Sequence, residues 1–187
     1  MKVILGAGPT QYEGWTAMQE SELDIRDERA WAALFTPGSI DALLAEHVWE
    51  HLSLPEGQAA ARHCYQYLKP GGYIRCAVPD GNFQNEWYQN MIRVGGPGPA
   101  DHPAATHRIV YDYRTFVEVF TQTGFVVSLL EYCDEDGVFH YTYWNEGDGM
   151  IGRSYRFDTR NTGNKLGMVS IIVDAKKPLY INPSSEK

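Results

Sequence analysis

With 187 residues the chain can bury one core of ordinary size but is too short for two enzyme domains. Its 43% hydrophobic and 21% charged residues exclude a disordered chain, and a formal net charge of −8 has the wrong sign for non-specific attachment to nucleic acid or an anionic membrane. No apolar run approaches the roughly 20 residues of a membrane span, and the opening run is cut by Gly6 and Pro9 before a secretory core can form. A cytoplasmic, single-domain protein with a small-molecule partner is expected. Cys64, Cys76 and Cys133 are far apart and lack C-x-x-C spacing, so reduced, buried thiols are expected.

Short apolar runs at residues 3–5, 40–45, 73–78, 125–130 and 168–173 have the length of buried strands. Between the second and third, Ala61, Cys64, Tyr65 and Leu68 share one helical face, and Lys69-Pro70-Gly71-Gly72 ends that helix. The pattern repeats after Asp112, a good N-cap: Tyr113, Phe116, Val117 and Phe120 form an apolar stripe, and Gly124 closes the helix. Strands separated by helices predict an α/β sheet whose ligands bind beyond the carboxyl ends of the strands. Residues 94–106 and 133–167 fit neither period, and the second stretch reads as a polar, aromatic insertion within the domain. Only Asn182 to Lys187 reads as a low-complexity tail.

Three motifs carry candidate chemistry. Gly6-Ala7-Gly8 follows the first strand, where glycine lets a ligand approach the backbone, but the third glycine of a dinucleotide fingerprint is missing. That disfavours a nicotinamide-dependent oxidoreductase. His47-Val48-Trp49-Glu50-His51 has the H-x-x-E-H spacing with which two imidazoles on a helix can hold zinc while Glu50 polarises water. The following Ser53-Leu54-Pro55 leaves only a turn or two of helix for it, and no third ligand stands out, so no metal is assigned. The third motif, Leu68-Lys69-Pro70-Gly71-Gly72, leads into a strand that delivers Pro79-Asp80 to its carboxyl end.

In this order the motifs resemble the class I S-adenosylmethionine-dependent methyltransferases of the type-11-like group. The carrying residues are Leu5-Gly6-Ala7-Gly8, Leu23-Asp24-Ile25, Glu46-His47-Val48-Trp49-Glu50-His51-Leu52, Leu68-Lys69-Pro70-Gly71-Gly72 and Val78-Pro79-Asp80. The resemblance implies a Rossmann-like α/β fold: a seven-stranded, mostly parallel sheet, its last strand antiparallel, with helices on both faces. It also implies S-adenosylmethionine across the tips of the first strands. Gly6, Ala7 and Gly8 then meet the methionine part, Gln19 or Glu20 the ribose, Asp24 and Ile25 the adenine, and Glu46, after the fourth strand of the implied sheet, the transferable methyl group.

His47 is the first candidate base, and Asp80, with His107 or Tyr111, is second in rank. The acceptor is expected to be small. Phe139, His140, Tyr141, Tyr143 and Trp144 with Arg153, Arg156 and Arg160 suit an anionic or glycosidic one, unless they pack the insertion onto the sheet or form a homodimer contact. Gln19 in place of an acid, and the absence of helical cover ahead of the first strand, motivate the alternative of a non-catalytic binding or scaffold protein on a degenerate methyltransferase fold. A zinc hydrolase built on His47, Glu50 and His51 is the third reading.

Overall fold

The computed structural model describes residues 1–163 and 165–179, so the tail from Asn182 lies outside the described residues. Seven strands form one sheet: β1 (Lys2–Leu5), β2 (Trp15–Met18), β3 (Ile40–Glu46), β4 (Leu68–Pro79), β5 (Val126–Cys133), β6 (Phe139–Tyr141) and β7 (Ser170–Lys176). The helices are α1 (Glu28–Leu34), α2 (Leu54–Tyr67), α3 (Glu86–Ile92) and α4 (Tyr113–Thr121). The strand order is β2-β1-β3-β4-β7-β5-β6. Strands β1 to β4 pair in parallel, and β7 runs antiparallel between β4 and β5, as the resemblance implies for the last strand. A second antiparallel strand, β6, was not legible in the sequence. It is folded back by a turn in which the Asp134 carboxylate accepts from the backbone N–H groups of Asp136 and Val138, with Gly137 at positive φ.

Helix boundaries follow capping chemistry. Asp112 caps α4 by accepting from Thr115 N, as its sequence position suggests. Asp27 and Asn85 do the same for α1 and α3, two short helices whose apolar periodicity is too brief to read. Helix α2 starts seven residues before the recognised stripe. There the Glu56 carboxylate accepts from both the N–H and the hydroxyl of Ser53, and Pro55 occupies the first turn.

One face of the sheet carries the main core. Val3, Leu43, Ile74 and Val173 meet Trp31 of α1, Cys64 and Tyr67 of α2, and Phe116 and Phe120 of α4. The opposite face, where helices were also expected, is covered by the segment after β6. Ile4, Leu44, Ala77 and Ile172 pack there against Trp144 and Ile151. All three cysteines are buried and reduced. Among the described residues, no helix is long and apolar enough to cross a membrane.

Buried charge holds that segment on. Arg75, 2% exposed, forks onto Asp174 (2.7 and 2.8 Å), donates to the carbonyls of Asn145 (2.8 Å) and Gly149 (2.7 Å), and stacks on Trp144. Two carboxylates grip the segment's backbone: Glu46 accepts from Gly152 N and Arg153 N, and Glu131 from Tyr155 N and Trp144 Nε1. Arg156 lies over Tyr143, Trp144 and Phe157, and Arg160 pairs with Asp158. The aromatic and arginine cluster of the insertion is therefore engaged largely in its own packing.

Replacing Arg75 by alanine leaves Asp174 and two carbonyls without their donor, and is expected to lower unfolding free energy by about 3–5 kcal/mol in urea denaturation. Glu56, which Ser53 and Arg108 hold down to about 2, sets an acid limit. A carboxyl depressed on folding stabilises above its unfolded value and loses that contribution as pH falls toward its folded one. Stability should therefore decline between the ordinary value of 4.5 and about 2, and Glu56→Gln should flatten the decline in pH-dependent melts.

Candidate active site

The chain leaves β1, builds β2 on one side of it, and returns through α1 to β3 on the other. A sheet whose winding reverses in this way opens a crevice at the carboxyl ends of its parallel strands. A cleft of about 690 Å³ lies there. It is lined by Gly6 and Gly8 after β1, Gln19 and Glu20 after β2, Leu23, Asp24 and Ile25 in the following loop, His47 to Val48 after β3, and residues 105–108. Six of the nine residues singled out as catalytic or cofactor-binding thus share one wall: Gly6, Gly8, Gln19, Asp24, Ile25 and His47.

The other three point elsewhere. Ala7 is buried against the second sheet face, its N–H donating to the Met18 carbonyl. Glu46 has both oxygens committed to Gly152 and Arg153. Asp80 is fully buried at the end of β4, its oxygens accepting from Asn82 N (2.8 Å) and Cys133 N (2.6 Å). Burial raises its carboxyl to about 6 against these donors. In that place it joins the end of β4 to the end of β5 and does not line the cleft.

Among the lining residues, the polar groups are already braced. Gly6 and Gly8 both take positive φ, and a Cβ on Gly6 would meet Val48 Cγ2 at 2.9 Å, whereas one on Gly8 would meet nothing within 4 Å. The Gln19 carboxamide accepts from Gly8 N (3.1 Å) and donates to Gly8 O (2.8 Å), closing a two-bond clamp between the β1 and β2 turns. The carboxamide expected to hold a ribose thus also braces the glycine turn. Asp24 is gripped bidentately by Arg26, which keeps its carboxyl below the usual range. Arg26 also reaches Glu20 Oε1 at 2.9 Å. Ile25 is buried, its carbonyl accepting from Trp31 Nε1 and His63 Nδ1.

After β3 the backbone turns sharply. His47 has φ +55°, the one non-glycine residue with positive φ among the described residues, and a strained conformation that the surrounding contacts must hold. Its N–H donates to the Ala77 carbonyl, its Nε2 contacts Ser170 Oγ at 2.9 Å, and its Nδ1 lies 3.2 Å from Glu50 Oε1. The H-x-x-E-H segment is not a regular helix but a single 3-10 turn, Trp49–His51, so His47 and His51 are not stacked one turn apart on a helix face. Sequence reasoning gave no role to Arg108 and ranked His107 second. Both enter the site because the Glu50 carbonyl accepts from Arg108 N, which docks the 105–108 segment on the turn. Burial pushes the His107 imidazole below its usual value and keeps it neutral.

Alanine at either glycine should add about 1–2 kcal/mol of left-handed strain. Only Gly6→Ala should also crowd Val48, adding about 1–3 kcal/mol of overpacking, so urea denaturation should rank Gly6→Ala below Gly8→Ala in stability.

Comparison with known proteins agrees with this geometry. A family model described as a methyltransferase domain matches residues 10–130, well over half of the chain. Among solved structures, a SAM-dependent methyltransferase from Archaeoglobus fulgidus superposes with a TM-score of 0.56 at 13% identity, covering 94% of this chain and 85% of that one. A SAM-dependent methyltransferase from Thermotoga maritima gives 0.52 at 13% identity, covering 94% and 81%. No curated protein matches the chain. At such identities the structural likeness speaks for the fold alone, and the family model for the kinship: the chain belongs to the methyltransferase-domain family.

Proposed function

We propose that the cleft beyond β1, β2 and β3 holds S-adenosylmethionine together with a small acceptor, and that methyl transfer occurs beside His47. The observation that carries this reading is the convergence of Gly6, Gly8, Glu20, Asp24, Ile25 and His47 on a single cavity of about 690 Å³. The residues present suit the cofactor. Gly8 leaves open space where a side chain would stand, Leu23, Ile25 and Leu52 offer apolar wall for a flat base, and Glu20 and Asp24 offer carboxylates for hydroxyl and amine donors. With Gln19 committed to Gly8, the ribose role passes to Glu20, its neighbour on the lining. Arg26 fixes the orientation of both acids through its bonds to Asp24 and Glu20.

When bound, the cofactor supplies an electrophilic methyl group on a sulfonium. The protein's tasks are then alignment, exclusion of water and acceptance of a proton. His47 serves the last. Its Nε2 contacts Ser170, and the Glu50 carboxylate, 3.2 Å from its Nδ1, stabilises the imidazolium form. Because Arg156 and Arg160 of the insertion are engaged with neighbouring side chains, an anionic acceptor would find its cation in Arg108 or Arg26 on the lining.

Calorimetric titration with S-adenosylmethionine and with its demethylated product should each show saturable binding near one equivalent, with NAD giving none. Gly8→Ala, whose added Cβ meets no protein atom within 4 Å, should weaken both, as should Asp24→Ala. Absence of binding at millimolar cofactor in the wild-type protein would overturn this reading in favour of a non-catalytic relative.

A further inference from the structure

Three imidazoles surround one carboxylate at the His47 end of the cleft, and the protons of His47 and His107 can be assigned from fixed neighbours. Glu50 is 1% exposed, and neither of its oxygens has a hydrogen-bond partner. Ser170 donates its one hydroxyl proton to the Arg153 carbonyl at 2.7 Å, so its contact with His47 places a proton on Nε2 of that ring. The Nδ1 of neutral His47 is then a bare lone pair, 3.2 Å from Glu50 Oε1. His107 Nδ1 lies 2.9 Å from the Ile92 carbonyl, which can only accept, so the bare nitrogen of His107 is Nε2, 4.0 Å from the same Oε1. His51 Nδ1 contacts Thr106 Oγ1 at 2.8 Å, and the Pro103 carbonyl lies 3.4 Å from that hydroxyl. With the hydroxyl proton on Pro103, Nδ1 of His51 carries the ring proton and Nε2 is its bare nitrogen. The His51 and His107 rings meet edge to face, 5.0 Å between centroids.

Ligand atoms of Glu50, His51 and His107 all lie within 4.8 Å of one another. Lone pairs converging on an unpartnered, buried carboxylate repel one another unless a cation stands among them. We propose that Glu50, His51 and His107, with His47 beside them, bind a divalent first-row transition-metal ion such as zinc. Two imidazoles and a carboxylate form the three-ligand set of an open zinc site, whereas magnesium and calcium prefer oxygen donors. The Ile92 carbonyl and Thr106 hydroxyl orient the two rings through their other nitrogens, as outer partners of metal-bound histidine do. The set differs from the sequence's H-x-x-E-H pairing, because the second imidazole comes from His107 and not from His47. Since His51 and His107 line the cleft, the ion's open position is accessible to an oxygen of the acceptor, an extension that rests on the methyltransferase reading above.

The test uses the full chain, stripped with a chelator and titrated with cobalt(II) and, separately, zinc(II), without cofactor or acceptor. One equivalent should bind, with cobalt giving visible absorption that zinc abolishes and a tenfold excess of magnesium does not. His51→Gln, His107→Gln and Glu50→Gln should weaken binding by roughly 100-fold with circular dichroism unchanged, while His140→Gln, which alters an exposed imidazole paired with Asp134, should bind as wild type. No saturable binding to wild-type protein, equal binding by His51→Gln and His107→Gln, or displacement by magnesium would overturn the proposal. The first result would leave protons as the cations between the rings and Glu50. If Glu50→Gln fails to fold, the two histidine variants decide. Titrating the same metal-free protein with S-adenosylmethionine separates the two readings, because failure of cofactor binding leaves the metal isotherm intact.

Discussion

A buried guanidinium determines how this sheet is covered. A sheet with two apolar faces needs two layers of cover, and in this chain helices supply only one. The second layer is irregular chain, whose backbone groups cannot satisfy one another as those of a helix do. Arg75 resolves part of that difficulty from within the sheet, binding Asp174 on the neighbouring strand and two carbonyls of the covering segment at once. Glu46 and Glu131 provide the complementary half by accepting its N–H groups. The order of the 142–157 region, and so the flat underside of the cleft's strands, depends on these three charges.

The same commitment explains what the site lacks. Glu46 stands next to His47, yet on a strand successive side chains face opposite ways, and Glu46 falls on the face that the segment covers. Position along the chain suggested a cofactor contact, but the strand's period of two assigns the residue to anchoring. Asp80 is diverted similarly, by the N–H groups of Asn82 and Cys133. What remains around the cleft is a glycine turn, a pair of acids steadied by Arg26, and a histidine held in a strained turn.

Much of the fold was legible in the sequence, for physical reasons. Strands β1, β3, β4 and β7 are buried on both faces and so appear as continuous apolar runs, and α4 announces itself through Asp112 and a strong stripe. Helices α1 and α3 span two turns each, too few for periodicity, although Asp27 and Asn85 mark their starts. Strand β6 depends on the Asp134 turn and not on its own three residues. The covering role of residues 142–157 was hidden because its partners are distant in sequence: no local pattern links Arg75 to Asn145 or Glu131 to Trp144. Where the resemblance set Ile40 to Ala45 as a fourth strand, it is the third, since the loop around Asp24 runs directly into α1.

Glu46 and Glu131 hold the covering segment mostly by main-chain N–H groups, at Gly152, Arg153 and Tyr155. Every residue type except proline presents that group identically. The outward side chains at Arg153 and Tyr155 are therefore separable from the anchoring beneath them. Over generations, sequence change at those positions can redraw the protein's outer surface while the sheet, and the cleft at its edge, stay as they are.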